Sequence, residues 1–171
     1  PGLKMSQKTP VLLVDDDIFV VRVVKKMLTP HGFRVETAGR GEEAITRVRD
    51  GFRGVVVLDR VLPDIDGTEL LPALGTICPG NPVIFLTGHG SVDLAVDSIQ
   101  HGAFEFLDKS ELMERLLPCA QAAAARFREQ EVAEGLLQRG VAHASFREII
   151  TQSREMQAVF RALRNALESN V

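Results

Sequence analysis

Four short apolar runs in this chain each lead into polar or charged residues, and no other feature constrains the fold as tightly. Val11-Leu12-Leu13-Val14 leads into Asp15-Asp16-Asp17, and Val55-Val56-Val57-Leu58 into Asp59. Pro82-Val83-Ile84-Phe85-Leu86 leads into Thr87, and Phe104-Glu105-Phe106-Leu107 into Asp108-Lys109. Runs this short and this apolar read as buried strands. In an open parallel sheet the ligand crevice lies outside the carboxyl ends of the strands. Asp15, Asp16, Asp59, Thr87 and Lys109 are therefore expected to converge there, bringing three carboxylates, a hydroxyl and an ammonium into one place.

The segments between the runs carry helical periodicity. Strands are expected at 10–15, 33–38, 54–59, 82–87 and 103–107, with helices at 17–30, 41–50, 67–77 and 91–101. Ile18, Val21, Val24, Met27 and Leu28 recur at three-to-four-residue spacing in the first helix. Gly32, Gly51 and Gly102 stand where helices should stop. Asp17, Ser91 and Ser110 stand where helices should start. Five strands alternating with helices predict an α/β, doubly wound sheet.

The chain changes character after Ser110. Residues 111–140 carry no strand pattern and read as one long helical segment, with Leu112, Leu116, Ala123, Phe127 and Leu136-Leu137 on a broken apolar stripe. Pro118 is expected to kink or restart this helix. The stripe outruns what one domain needs, which points to a partner helix. Residues 146–171 read as a further helical segment, with Met156, Val159, Phe160 and Leu163 on one face.

Charge excludes some functions. The chain carries −3 overall, with 12 basic and 15 acidic residues in 1–110 and 8 of each in 111–171. Neither part is a basic nucleic-acid surface. No apolar stretch is long enough to span a bilayer, and no secretory pattern opens the chain. Cys78 and Cys119 have no motif spacing and fit a reducing cytoplasm. Pro1-Gly2-Leu3-Lys4 before Met5 reads as a cloning remnant, so residues 1–7 are expected to be a disordered start.

Three clustered carboxylates form a hard-oxygen site suited to Mg²⁺. Without a cation they raise each other's proton affinity. A nearby lysine and hydroxyl suit the oxygens of a phosphoryl group, whose transfer needs mainly positioning and charge neutralisation. A carboxylate can itself be the nucleophile and carry the group as an acyl phosphate. The bland reading of each residue alone is an N-cap, a turn or a solvated lysine. Five coincidences in the right strand order favour a site.

The motifs VLLVDDD (11–17), VVVLDRVLPDIDG (55–67), FLTGHGSVDLAV (85–96) and GAFEFLDKS (102–110) resemble the receiver domain of bacterial two-component response regulators. The resemblance implies a flavodoxin-like five-stranded parallel sheet of order 2-1-3-4-5, and a switch rather than an enzyme. It implies Asp59 as phosphoacceptor for a sensor histidine kinase. It implies Mg²⁺ held by Asp15, Asp16, Asp59 and the backbone carbonyl of Val61, with Thr87 and Lys109 on the phosphoryl group and Phe106 as the aromatic switch. Val61 and His89, two residues beyond Asp59 and Thr87 respectively, are candidate modulators of access. The family usually has proline after the lysine. Here it is Ser110, so Lys109 is expected to be less rigidly placed. Leu62 stands where methionine is common, and Phe106 lacks a hydroxyl, so switching through it would rest on packing.

Gly88-His89-Gly90 resembles receivers of nitrogen-regulator-type (NtrC-like) activators of sigma-54 RNA polymerase. FREIITQSREMQAV (146–159) resembles the opening of their AAA+ ATPase domain, whose Gly-Lys phosphate loop is not reached. The implied organisation is a receiver over 8–128, a helical linker over 129–145 and the start of an AAA+ domain over 146–171. The implied partners are a histidine kinase and a second copy of the chain, joined through linker and receiver. Sigma-54 polymerase and DNA would be contacted through parts beyond this sequence. Rival readings are a receiver with a different output domain and a Mg²⁺-dependent phosphatase with Asp59 as nucleophile. The phosphatase is disfavoured because Val61 stands where such hydrolases usually carry a second acid. A dinucleotide-binding fold is disfavoured because no Gly-x-Gly-x-x-Gly follows the first strand.

Overall fold

The computed structural model describes residues 8–88 and 92–143; His89, Ser91 and the helix expected at 146–171 lie outside them. The elements alternate as β1 (Thr9–Val14), α1 (Ile18–Leu28), β2 (Phe33–Ala38), α2 (Gly41–Arg49), β3 (Val55–Asp59), α3 (Gly67–Ile77), β4 (Val83–Thr87), α4 (Val92–Gln100), β5 (Glu105–Asp108) and α5 (Leu112–His143). All strand pairs are parallel and the order is β2-β1-β3-β4-β5. The fold is therefore the doubly wound α/β sheet with a long C-terminal helix. Gly32, Gly51 and Gly102 all have positive φ, which is why the chain turns at these points.

Strand alternation builds two cores. Val11, Leu13, Val55, Val57, Ile84, Leu86 and Leu107 face α1 and α5, where Val24, Leu28, Leu112, Leu116 and Ala120 meet them. Leu12, Val14, Val56, Leu58, Val83 and Phe85 face the opposite way, onto Ala44, Val48, Leu70, Leu71 and Leu74 of α2 and α3. Both faces of the central strands are covered, which explains their continuous apolar sequence. Each fully buried valine or leucine side chain contributes about 1.5–3 kcal/mol.

The chain divides into two compact units, one up to Gln130 and one from Glu131 onward. The sheet belongs to the first. There α5 is pinned near its exit. Phe127 is buried, the Arg53 guanidinium carbon lies 5.9 Å from its ring centroid, and Arg128 Nη2 donates to Thr9 Oγ1 at 3.3 Å. In the second unit Val132, Leu136 and Leu137 of α5 are exposed.

Three local expectations need correction. Helix α5 runs without a break through Pro118. A proline removes one backbone donor, but Leu112 and Leu116 before it and Ala120 and Ala123 after it are packed on the sheet, so tertiary burial outweighs local propensity. Ser110 does not begin α5. The β5–α5 connection is a 3₁₀ turn, Lys109–Glu111, capped by Asp108. Finally, β5 runs over 105–108 rather than 103–107, as an edge strand with Phe104 partly exposed.

Candidate phosphoacceptor site

Sheet register sets the site. Val14 lies opposite Leu58, Asp59 opposite Leu86, and Thr87 opposite Asp108. The residues at the carboxyl ends of β1, β3, β4 and β5 therefore stand at one level, at the crevice where the parallel sheet reverses its winding. One carboxylate oxygen from each of Asp15, Asp16 and Asp59 lies within 4.8 Å of the others.

The Lys109 ammonium bridges two of these carboxylates. Its Nζ lies 2.9 Å from Asp15 Oδ2 and 3.0 Å from Asp59 Oδ2. Asp15 and Asp59 are almost inaccessible to solvent, whereas Asp16 is exposed. The second oxygen of Asp15 accepts the Asp17 N–H at 2.8 Å, and Asp17 in turn caps α1 by accepting the Phe19 N–H at 2.8 Å. The aspartate run thus divides its labour, with Asp15 facing the crevice and Asp17 holding the helix. Burial, aided by the charge of Asp15, pushes the Asp59 carboxyl above its ordinary value, with Lys109 opposing the rise. Burial alone would lower the Lys109 ammonium, but its hydrogen bonds to Asp15 and Asp59 outweigh that and raise it. The cluster carries more negative than positive charge, which favours a cation.

Thr87 is buried at the end of β4. Phe106, on β5, lies half-buried against Phe85, with ring centroids 6.4 Å apart. It lines an open groove of about 480 Å³ with Ala95, Val96, Ile99 and Arg115. Val61 is exposed two residues beyond Asp59 and bridges to Asp66 in antiparallel fashion. The loop between them closes through a Gly67 N–H to Arg60 carbonyl bond of 2.6 Å. A Cβ on Gly67 would stand 2.5 Å from the Asp59 carbonyl oxygen, so the close return of the chain needs glycine.

Two supports escaped the sequence reading. Asp64 crosses to α2, accepting the N–H groups of Gly41 at 2.9 Å and Glu42 at 3.0 Å. It thereby serves a helix whose own cap residue, Arg40, makes no side-chain cap bond. The bonds to Glu42 and Gly41 hold the Asp64 carboxyl below its ordinary value. The other support is Asp108, whose Oδ1 accepts both the N–H and the Oγ–H of Ser110, at 2.8 and 2.6 Å. An aspartate two residues before a serine at a strand end is an available turn signal. Asp64 offers no local signal, because its partners are 22 and 23 residues away.

A doubly wound domain with an acidic, lysine-bridged crevice at its switch point has the architecture of a small phosphoacceptor domain. The response regulator receiver domain matches residues 11–121, and the chain belongs to that family. Among curated proteins it is 29% identical to the C4-dicarboxylate transport transcriptional regulatory protein DctD of Rhizobium meliloti (strain 1021), over 98% of this chain and 36% of that protein. It is 30% identical to the luminescence regulatory protein LuxO of Vibrio campbellii (strain ATCC BAA-1116), over 92% of this chain and 34% of that one. Among solved structures it resembles the beryllofluoride-activated NtrC4 receiver domain dimer, at 36% identity and a TM-score of 0.65, over 69% of this chain and 98% of that one. The chain thus spans about a third of the length of the curated relatives. Receiver domains take phosphoryl groups from histidine kinases, and these relatives are regulatory proteins.

Proposed function

We propose that this chain is the phosphorylation-controlled receiver of a transcriptional activator of the sigma-54 type, with Asp59 as the phosphoacceptor. The observation that carries the reading is the Lys109 bridge between two buried carboxylates beside an exposed third. An Asp59 oxygen attacks the phosphorus of a kinase phosphohistidine. The P–O bond forms, the P–N bond breaks, and the electron pair leaves on the imidazole nitrogen, which takes a proton. Asp59 is favoured over Asp15 because it ends the central strand of the sheet.

The donor set fits Mg²⁺, being three carboxylates of hard oxygen within reach of one another. Asp15, Asp16 and Asp59 would hold the ion, with the Val61 carbonyl as a fourth ligand. When bound, Mg²⁺ supplies neutralisation of the charge on the transferring group. The chain's own residues do the rest: Lys109 pairs with the phosphoryl oxygens, and Thr87 donates its hydroxyl to them. The phosphoryl group, carrying about −1.5 to −2 in place of the single carboxylate charge, biases the β4 and β5 ends, and Phe106 reports the change by repacking. The wider reading has a receiver over 8–128 and a linker over 129–145 that dimerises. Residues 146–171 begin an ATPase domain that contacts sigma-54 polymerase, with further parts that reach DNA. The setting is cytoplasmic; among the described residues no helix is long and apolar enough to cross a membrane.

Incubation with acetyl phosphate and Mg²⁺ should add one phosphoryl group by intact-mass spectrometry, and Asp59→Asn should abolish it. Equal labelling of the Asn variant would remove Asp59 from the role.

A further inference from the structure

Lys109 is the only cation within salt-bridge distance of Asp15 and Asp59 among the described ion pairs, and it stands on a four-carbon stem. A lysine side chain is rich in rotamers, so holding its ammonium on two oxygens depends on where the backbone starts it. That starting point is built by its neighbours. Asp108 ends β5 in an extended conformation, with φ −75° and ψ 137°, and pairs across the sheet with Thr87. The same Asp108 oxygen accepts two hydrogen bonds from Ser110, closing the chain around Lys109. On the far side the Leu112 N–H donates to the Lys109 carbonyl. Leu107 and Leu112, flanking the turn, are both buried. The serine after the lysine thus closes the turn around Lys109 through two hydrogen bonds to Asp108.

We propose that Asp108 and Ser110 are positioning residues for Lys109: their turn sets the ammonium on Asp15 and Asp59 and so tunes the speed of phosphoryl transfer. The effect on transfer rests on the reading of Asp59 as phosphoacceptor; the effect on the ion bridge does not. In this proposal Asp108 acts as the hydrogen-bond acceptor of Ser110, and a role for its charge is the alternative. Asparagine keeps the accepting Oδ1 and drops the charge, so it separates the two.

The test measures the rate of Asp59 labelling by acetyl phosphate and Mg²⁺ in the full chain. Asp108→Ala should slow labelling about fivefold, which is ~1 kcal/mol at the barrier. Asp108→Asn should recover the parental rate to within about twofold, since ~0.4 kcal/mol covers that factor. In a Lys109→Ala background Asp108→Ala should cost nothing further, an outcome that a general loosening of the fold would not give. Asn as slow as Ala, or an equal loss in the Lys109→Ala background, overturns the proposal. A second measurement needs no phosphorylation. In urea unfolding the penalty of Lys109→Met should shrink in the Asp108→Ala chain, because a misplaced ammonium no longer bridges both carboxylates. A parent that takes no phosphoryl but shows this coupling rejects the phosphoacceptor reading and keeps the positioning role. A parent that labels normally, with additive stabilities and equal rates, rejects the positioning role alone.

Discussion

Replacing Lys109 by methionine keeps the stem and removes the charge, and the domain should lose about 2–3 kcal/mol at neutral pH. The ammonium lies 2.9 Å from Asp15 Oδ2 and 3.0 Å from Asp59 Oδ2. With charge centres ~4 Å apart and an effective dielectric of ~20, each attraction is about 4 kcal/mol before desolvation. Desolvating the ammonium costs several kcal/mol, and removing one partner of a buried pair typically costs about 3–5 kcal/mol in total. The Lys109 side chain keeps 23% of its exposure, so water screens part of the attraction and the lower figure holds. For a body of this size the melting temperature should fall by roughly 10 °C. The pH dependence follows from Asp59, which burial and Asp15 hold above its ordinary value. A carboxyl with a raised folded pKa contributes stability that is complete below its unfolded pKa and is lost as pH rises through the folded one. Without Lys109 that folded value climbs further, so the loss at neutral pH is larger. Below the unfolded value Asp59 is protonated in either protein, and its share of the deficit should close. Calorimetry in a chelator at acidic and neutral pH measures this, with the Asp15→Asn, Asp59→Asn background as control, where Lys109→Met should cost little. A deficit that is the same at both pH values would assign the effect to packing and refute the electrostatic account.

Mg²⁺ at ~100 times its dissociation constant should stabilise the parent by about 2.7 kcal/mol. The exposed Asp16 can be changed to Ala without disturbing the core, and that change should abolish the rise in melting temperature. Asp64→Ala should lower the melting temperature at neutral pH, and this deficit should vanish on acidification. The reason is that Asp64 has a depressed folded pKa, so its stabilisation exists above its unfolded value and is lost as pH falls through the folded one. Light scattering should find the 1–128 fragment less associated than the full chain at matched concentration, because Val132, Leu136 and Leu137 are exposed on α5; equal masses would clear the linker of a role in assembly.

The clustering of Asp15, Asp59 and Lys109 was legible because a parallel sheet converts position in the sequence into position in space. A residue that ends a buried run must emerge at the crevice, whatever the helices do. The Lys109 bridge was not legible, since a flexible side chain reaches its partners only after the turn at 109–111 has fixed its origin. Asp64 was hidden for a different reason: a cap from 22 residues away leaves no local pattern. Pro118 shows the opposite failure. A local rule gave a clear answer there, and packing on the sheet overrode it. The edge strand β5 shifted because only one of its sides is paired, so its apolar pattern is weaker and its ends are set by neighbours.

The bridge also bears on how the proposed switch would read its own state. In the unphosphorylated chain one ammonium is shared almost evenly, at 2.9 and 3.0 Å, between Asp15 and Asp59. A phosphoryl group on Asp59 replaces one negative charge by about −1.5 to −2 and adds acceptor oxygens. The balance must then tip from Asp15 toward the phosphoryl group. Asp108 carries that shift into the sheet, because it adjoins Lys109 in sequence and pairs with Thr87 across β4 and β5. In the proposed switch Thr87 would be drawn to the same oxygens, pulling the two strand ends together. Phe106 lies two residues before Asp108 on the same strand, against Phe85 of β4, and would be the first ring to feel such a movement. On this proposal the switch would need no hydroxyl on residue 106, only a strand end whose backbone is tied to the lysine.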